Sequence, residues 1–263
     1  SQLVRYGQMI RREKDYSGLE VDYMVFDHSE ERDVELYDNV VETIREIQQF
    51  HLQKARRAIR DFVDFLRTEL KGQHVDKELL LLLNKMAPCS EFSYVPGIME
   101  ALTLAIKVDN IAAETVRLVK DGNKVVVALS KTAGSIISRL LNTQGKPATV
   151  GDTVNASFTN VLLEALHRTL HVDGVSPEIR PYVEKYLDKG GCIMPPEDYE
   201  ELYAKIAAKD FGLPVAPIDV ILQELRSHGI RVAECTGRSH CIEYTDAEYN
   251  GILRSRHREP VDW

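Results

Sequence analysis

Glu164, His167 and His171 are the residues of this sequence whose types and spacing best suit metal chemistry. They stand at positions i, i+3 and i+7, so a helix would bring all three side chains to one face. A Glu-x-x-His pair is half of what a di-iron bundle needs, because a second such pair and two further acids must converge on the ions. The sequence holds no second Glu-x-x-His. We therefore predict no bound metal or other cofactor. The alternative is a metal site formed by these three residues.

Sulfur and imidazole also come together near the C-terminus, at Cys235, His240 and Cys241, with Cys192 as a further sulfur donor. Structural zinc sites generally use a Cys-x-x-Cys knuckle, which the spacing of Cys235 and Cys241 does not supply. Alternation along a strand would also direct His240 and Cys241 to opposite faces. We expect buried thiols here in place of a zinc site.

No catalytic motif is present with the context that it requires. The sequence has no Gly-x-Ser-x-Gly and no His-Glu-x-x-His. Asp210-Phe211-Gly212 copies a kinase motif, but neither a glycine-rich loop nor a His-Arg-Asp segment precedes it. The sequence therefore predicts a protein that is not an enzyme.

Basic residues cluster between positions 54 and 67, where they could face phosphates. However, Arg57 and Arg60 each stand four residues before an acid, Asp61 and Asp64, and can pair with it along a helix. We predict a salt-bridged surface, and nucleic-acid binding is the alternative. That alternative would use Arg56, Arg57, Arg60, Arg231 and Arg238.

The net charge of −8 is distributed unevenly along the 263 residues. Residues 15–46 carry eleven acids and two bases, so the remainder is close to neutral and a general attraction to nucleic acid is not predicted. No apolar run is long enough to cross a membrane. The chain starts at Ser1, which is typical of a processed chain or a fragment, and four cysteines without a secreted-type spacing predict reduced thiols. We expect an intracellular protein, cytoplasmic or nuclear, that does not bind a membrane.

One long helix, predicted over residues 39–71, is the element around which the others are arranged. Asn39 and Glu42 match a capping box at its start, and Gly72 matches a C-terminal stop. Gln48 and His51 interrupt its apolar stripe, so we do not expect a regular coiled coil. The predicted stripe consists of Val41, Ile44, Ile47, Ala55, Ala58, Phe62, Phe65 or Leu66, and Leu70.

Shorter elements follow the long helix. Proline, glycine and polar breaks predict helices over 77–86, 96–108, 110–119, 124–141, 153–170, 176–189, 196–209 and 217–228. Residues 231–235 and 240–244 alternate in the manner of two strands joined by a turn. The order helix, helix, hairpin is typical of a winged helix-turn-helix unit.

Together these elements predict a mainly α protein. We expect an N-terminal arm over residues 1–35, a multi-helix bundle over 36–141 built on the long helix, a smaller helical domain over 150–253 ending in a winged-helix-like β-hairpin, and a loose tail over 254–263.

The predicted function is a non-enzymatic protein-protein interaction or assembly protein, a scaffold or adaptor, whose contact surfaces are the long helix and the N-terminal arm. Its partner would be another protein or a second copy of the chain. One alternative is a nucleic-acid-binding regulatory or packaging factor, resembling a viral nucleoprotein in its role. Another is a metal-dependent enzyme with its site on the 164–171 helix.

Overall fold

The computed structural model describes residue 20 and residues 31–72, 77–88, 95–130, 132–142, 146–188 and 191–256. This part of the chain is mainly helical, with small antiparallel sheets. Most of the predicted arm and the tail beyond residue 256 lie outside the described residues. None of the helices in the described part is both long and apolar enough to pass through a bilayer.

The long helix is present and is longer than the sequence predicts. It consists of α1 (Glu31–Phe50), a π-helical segment (His51–Ala55) and α2 (Arg56–Gly72), in all 42 residues. The predicted capping box is wrong, because Asn39 lies inside the helix and its carbonyl oxygen accepts a hydrogen bond from Thr43 Oγ1 at 2.8 Å. No glycine or proline occurs between residues 31 and 39 to prevent the earlier start.

The π-helical segment explains why the apolar stripe looked interrupted. Ile47, His51, Ala55, Ile59 and Val63 are all buried and stand four residues apart. At 3.6 residues per turn, a spacing of four drifts around an α-helix by about 40° per step. A π-helical turn holds an extra residue and removes part of that drift. His51, which is only 1% exposed, therefore belongs to the buried stripe.

The predicted stripe is shifted by one residue at several positions. Val40 is fully buried where Val41 was expected, and Ile59 is buried where Ala58 was expected. Phe65 is 44% exposed, and Leu66 takes the core position beside it.

The remaining helices in the described part follow the predicted order. They are α3 (Lys77–Leu83), α4 (Val95–Ile106), α5 (Val108–Lys120), α6 (Gly134–Ile137), α7 (Thr159–Arg168), α8 (Arg180–Val183, continued by a 3-10 turn over Glu184–Tyr186), α9 (Glu197–Ala207) and α10 (Pro217–Ser227).

The helix predicted over residues 124–141 is wrong. Among the described residues of this range, only the four of α6 are helical, and residues 123–129 form neither helix nor strand. Three consecutive valines, Val125 to Val127, restrict the side-chain rotamers that a helix allows. The helices predicted over 153–170 and 176–189 are also shorter than expected, because a strand precedes α7 and α8 spans a single turn.

Two small antiparallel sheets complete the described fold. Strands β1 (Ala87–Pro88) and β3 (Val172–Asp173) pair with each other. Strands β2 (Thr153–Asn155), β4 (His240–Tyr244) and β5 (Asn250–Ser255) form the other sheet in the order β2-β5-β4.

The C-terminal hairpin exists, but its strands are not the predicted pair. Strand β4 pairs with β5, and residues 231–235 are in no strand, so the start of the predicted loose tail belongs to the sheet. The missed signal is the Asp246 turn between the strands. Asp246 Oδ1 accepts hydrogen bonds from the backbone N–H groups of Glu248 and Asn250, each at 3.0 Å.

Most of the buried apolar side chains form one cluster that extends from the long helix to β5, and it includes Ile44 and Leu253. A smaller cluster lies between α5 and α10 and contains Val116 and Leu225. Polar contacts also join the two predicted domains, since Lys205 Nζ lies 2.7 Å from Glu46 Oε1. The predicted division near residue 142 stays a prediction.

Candidate functional site

His167 lies in the last turn of α7, and its side chain meets a loop more than twenty residues further along the chain. His167 Nε2 lies 2.7 Å from Asp188 Oδ2. The Sγ of Cys192 joins this pair, and the three ligand atoms lie within 4.8 Å of one another. In the described part of the chain this is the one group of histidine, cysteine and acidic side chains close enough to share a metal ion.

Backbone hydrogen bonds hold the two loop residues in place. The N–H of Asp188 donates to the carbonyl oxygen of Cys192 at 2.9 Å, and the N–H of Gly191 donates to that of Asp188 at 3.0 Å. The N–H of Cys192 also donates to Asp188 Oδ1 at 2.9 Å. One carboxylate oxygen of Asp188 is therefore fixed by its own loop, and the other faces His167.

A cavity of about 660 Å³ adjoins the His167, Asp188 and Cys192 side chains. Its remaining lining is largely apolar. In this lining the Phe65 ring of the long helix contacts the Tyr186 ring edge to face, with the ring centres 5.4 Å apart. A volume of this size is in the range that small-molecule pockets occupy. The other apolar lining residues include Phe62, Ile193, Met194, Pro195 and Pro196.

The three metal candidates predicted from the helix spacing do not converge. Glu164 accepts hydrogen bonds from two arginines, Arg139 and Arg168. His171 Nδ1 lies 3.2 Å from Asp173 Oδ1. Of the three predicted residues, His167 alone enters the cluster with Asp188 and Cys192. No local sequence pattern links position 167 to positions 188 and 192. The sequence alone therefore does not predict that Asp188 and Cys192 lie beside His167.

The second predicted group, Cys235, His240 and Cys241, also remains apart. The prediction of a buried thiol is wrong for Cys235, which is exposed. His240 Nδ1 lies 2.9 Å from Ser239 Oγ. Cys241 is partly buried, and this burial raises the pKa of its thiol. The expectation that these residues do not form a zinc site remains a prediction, and Cys192 lies with His167 instead of with them.

Arg238 belongs to a buried ion-pair cluster. Its Nη1 donates to Asp219 Oδ2 at 2.8 Å, and its Nε donates to Glu234 Oε1 at 2.7 Å. Burial alone would lower the pKa of the Arg238 guanidinium, but the ion pairs with Glu234 and Asp219 outweigh it and raise that pKa. Arg256 completes the cluster, with its Nε 3.3 Å from Glu234 Oε2. Two acids and two arginines leave the cluster neutral.

The same cluster also holds the backbone at the end of the 231–235 segment, which forms no strand. Arg256 Nη1 donates to the carbonyl oxygen of Thr236 at 2.8 Å, and Arg256 Nη2 donates to that of Glu234. Asp219 Oδ2 also accepts the backbone N–H of Ile242 at 2.8 Å. Arg256 therefore binds the Glu234 and Thr236 carbonyl groups, which in a strand would accept backbone hydrogen bonds.

The five arginines predicted for nucleic-acid binding lie in unlike environments. The Arg238 side chain is 1% exposed and has no free surface to offer a phosphate. Arg56 is partly buried, and Arg60 and Arg231 are exposed. Arg57 makes the predicted pair with Asp61, its Nε being 3.9 Å from Oδ2. Nucleic-acid binding stays a prediction.

In the second predicted surface pair, between Arg60 and Asp64, the acid binds a different arginine. Asp64 accepts a hydrogen bond from Arg67, which also donates to Asn84 Oδ1 at 2.8 Å. The basic block on the long helix is therefore partly paired with acids. Lys54 contributes to this pattern, since its Nζ lies 2.7 Å from Asp198 Oδ2.

A larger cleft of about 880 Å³ lies between α4, α7 and the segments around Thr132 and Gly237. Its lining includes four serines and Thr132, together with Glu164 and Arg168. These two charged residues contact each other at 3.2 Å, so the cleft presents no unpaired charge from them. Its mixed polar and apolar lining alone defines no reaction.

Comparisons with models of protein families, with curated proteins and with solved structures find no match for this chain.

Proposed function

We propose that this protein is a non-enzymatic interaction or assembly protein, and that its partner is a second copy of the same chain. The observation that carries the proposal is the 124–130 segment, which leaves α5 and remains without regular structure. No backbone–backbone hydrogen bond joins this segment to any other residue of the described part. Val126 within it is 92% exposed.

The segment leaves the helix at a well-defined point. Gly122 has a φ of 89°, and the N–H of Asn123 donates to the carbonyl oxygen of Leu118 at 3.0 Å, as in a Schellman motif. Leu129, at the other end, packs partly on the cluster between α5 and α10. Both ends are therefore anchored, while the backbone groups of the valines between them pair with no other backbone group of the described residues.

Valine has a high β propensity, and unpaired backbone N–H and C=O groups beside exposed valines are suited to pairing with another strand. Antiparallel pairing with a second copy, centred on Val126, would place Lys124 opposite Ala128 and Val125 opposite Val127. Like charges would not face each other in that register, and β-branched residues would form the cross-strand pairs. A twofold pairing of this kind closes on itself as a dimer.

The long helix contributes less to this proposal than the sequence predicted. Its apolar stripe is buried against the rest of the chain, although Val34, Leu52 and Phe65 remain 44–48% exposed. These side chains offer a further contact surface. Since two short strands alone are marginally stable, we expect a weak dimer that depends on protein concentration.

Sedimentation of the protein over a wide concentration range tests the proposal. We expect a monomer-dimer equilibrium in the parent protein. Proline substitutions at successive positions from 124 to 129 should weaken it alternately, because only every second N–H of a strand faces its partner. Circular dichroism checks that each variant keeps its helices.

Val150→Asp is the control, because Val150 is apolar and 53% exposed but belongs to a turn outside the 124–130 segment. This variant should dimerise as the parent does. A parent protein that stays monomeric at every concentration, or proline variants that all dimerise normally, would contradict the proposal.

Nucleic-acid binding is the second candidate, since α10 is followed by the β4–β5 hairpin as a winged-helix interpretation requires. We keep the winged-helix-like unit as part of this second proposal. The multi-helix bundle built on the long helix also remains a proposal. However, α10 has many buried residues and packs against α5, and Arg226 is its only arginine or lysine. Binding to DNA or RNA that weakens with added salt would support this candidate, and no binding at low salt would remove it.

A further inference from the structure

We propose that His167, Asp188 and Cys192 bind a zinc ion. Imidazole nitrogen, carboxylate oxygen and thiolate sulfur are the three donor types that zinc takes from proteins. Calcium and magnesium prefer sets made of oxygen alone, so the sulfur and nitrogen atoms of this cluster favour zinc or a similar transition metal. This site is independent of the 124–130 segment and of the proposed dimer.

The distance between the His167 and Asp188 donor atoms is close to the separation that a zinc ion would impose on them. The three ligand atoms lie within 4.8 Å of one another, and His167 Nε2 and Asp188 Oδ2 are 2.7 Å apart. Around a tetrahedral zinc ion with bonds of about 2.0–2.2 Å, such a nitrogen and oxygen stand roughly 3.4 Å apart. Metal binding would therefore separate this pair by less than one ångström and replace the hydrogen bond between them.

The surroundings of the ligands are organised as metal sites require. Asp188 Oδ1 accepts the N–H of Cys192 at 2.9 Å, and this bond turns Oδ2 toward His167. Two backbone hydrogen bonds join Asp188 to Gly191 and Cys192, and Cys192 is only 3% exposed. His167 is positioned by α7, whose inner face packs into the main core.

Three protein ligands leave a tetrahedral zinc ion with one open position. The cavity of about 660 Å³ that the three ligands line gives this position to a water molecule or to a small ligand. The aromatic and aliphatic side chains around it, including Phe62 and Tyr186, favour a ligand with an apolar body and one metal-binding atom.

Metal analysis of the full chain tests the assignment. The exposed Cys235 is first replaced by serine, so that this thiol does not bind metal adventitiously. The protein is stripped with a chelator, dialysed against zinc and analysed for metal. We expect one zinc ion per chain, and in the cobalt-loaded protein a thiolate-to-cobalt charge-transfer band. A protein that takes up no stoichiometric zinc or cobalt overturns the proposal.

Single substitutions then locate the site. Cys192→Ser should abolish the charge-transfer band, and His167→Gln or Asp188→Asn should abolish stoichiometric zinc. His171→Ala and Cys241→Ser serve as matched controls, because they remove an imidazole and a thiol that lie outside the cluster. Stoichiometric metal that survives in Cys192→Ser, or that disappears in Cys241→Ser with the helices intact, places the site elsewhere and overturns the assignment.

Discussion

Arg238 and Asp219 form a two-point ion pair inside the protein, with Nη2–Oδ1 and Nη1–Oδ2 distances of 2.5 and 2.8 Å. Their side chains are 1% and 3% exposed. Asp219 lies in the first turn of α10, and Arg238 lies in the irregular segment that precedes β4. This pair therefore joins the helix, the segment and the sheet.

Asp219→Asn should destabilise the protein by about 3–5 kcal/mol, because it leaves the buried Arg238 charge with one carboxylate fewer. Urea unfolding monitored by circular dichroism measures this loss. Asp61→Asn breaks an exposed arginine–acid pair and should change stability by about 0–1 kcal/mol. Equal effects of the two substitutions would show that the buried cluster does not stabilise the fold.

The stability of the protein should fall in acid partly through Glu234. Burial alone would raise the pKa of this carboxyl, but hydrogen bonds from Arg238 and Thr236 outweigh it and lower the pKa below its ordinary value of 4.5. A carboxyl whose pKa is lower in the folded protein than in the unfolded chain stabilises the fold. This stabilisation is complete above the pKa of the unfolded chain and disappears as the pH falls through the pKa of the folded protein.

Thermal unfolding measured between about pH 6 and pH 3 checks this expectation. The melting temperature of the parent should drop more steeply below about pH 4.5 than that of Glu234→Gln, which has no charge to lose at this position. Identical slopes for the two proteins would exclude Glu234 as a source of the acid sensitivity.

Gly251 should tolerate no side chain, because it lies in the central strand β5 close to its neighbours. An added Cβ would stand 2.5 Å from Ile242 Cγ2 and 2.8 Å from the carbonyl oxygen of Glu243. We expect Gly251→Ala to destabilise the protein by about 1–3 kcal/mol in urea unfolding.

Gly97 gives the matched comparison in helix α4, where an added Cβ would meet no atom of the described residues within 4 Å. Gly97→Ala should stabilise the protein by about 0.5–1 kcal/mol, since alanine loses less conformational freedom in a helix. A loss of stability at Gly97, or none at Gly251, would contradict the packing described for these positions.

The π-helical segment should tolerate the loss of one residue. Deleting the exposed Gln53 would convert the segment to regular α-helix and keep the buried stripe of α2 in phase. We expect a stability loss of about 1 kcal/mol or less, which chemical unfolding would measure.

Deleting the exposed Asp61 is the control, because no π-helical turn absorbs the change there. The helix beyond it would rotate by about 100°. Val63, Leu66 and Leu70 would leave the core, each at a loss of about 1.5–3 kcal/mol. If both deletions destabilised the protein equally, the π-helical segment would not be the source of the phase correction.

The sequence by itself determined most of the helices. Asp121-Gly122 ends α5, Pro217 begins α10, and the Arg57–Asp61 pair forms as predicted. These features depend on residues within a turn or two of one another, so their signals are local. The stripe predicted beyond residue 55 was shifted because a π-helical turn changes the number of residues per turn without a glycine or proline to mark it.

Only the tertiary structure decided which distant residues meet. His167 was selected on the spacing of its own helix, yet its partner Asp188 lies 21 residues away. Strand β4 was predicted correctly but given the wrong partner, and Arg238 was expected at the surface although two acids hold it inside. Pairings of this kind depend on burial and on the packing of separate elements, and neither is encoded in the periodicity of any one segment.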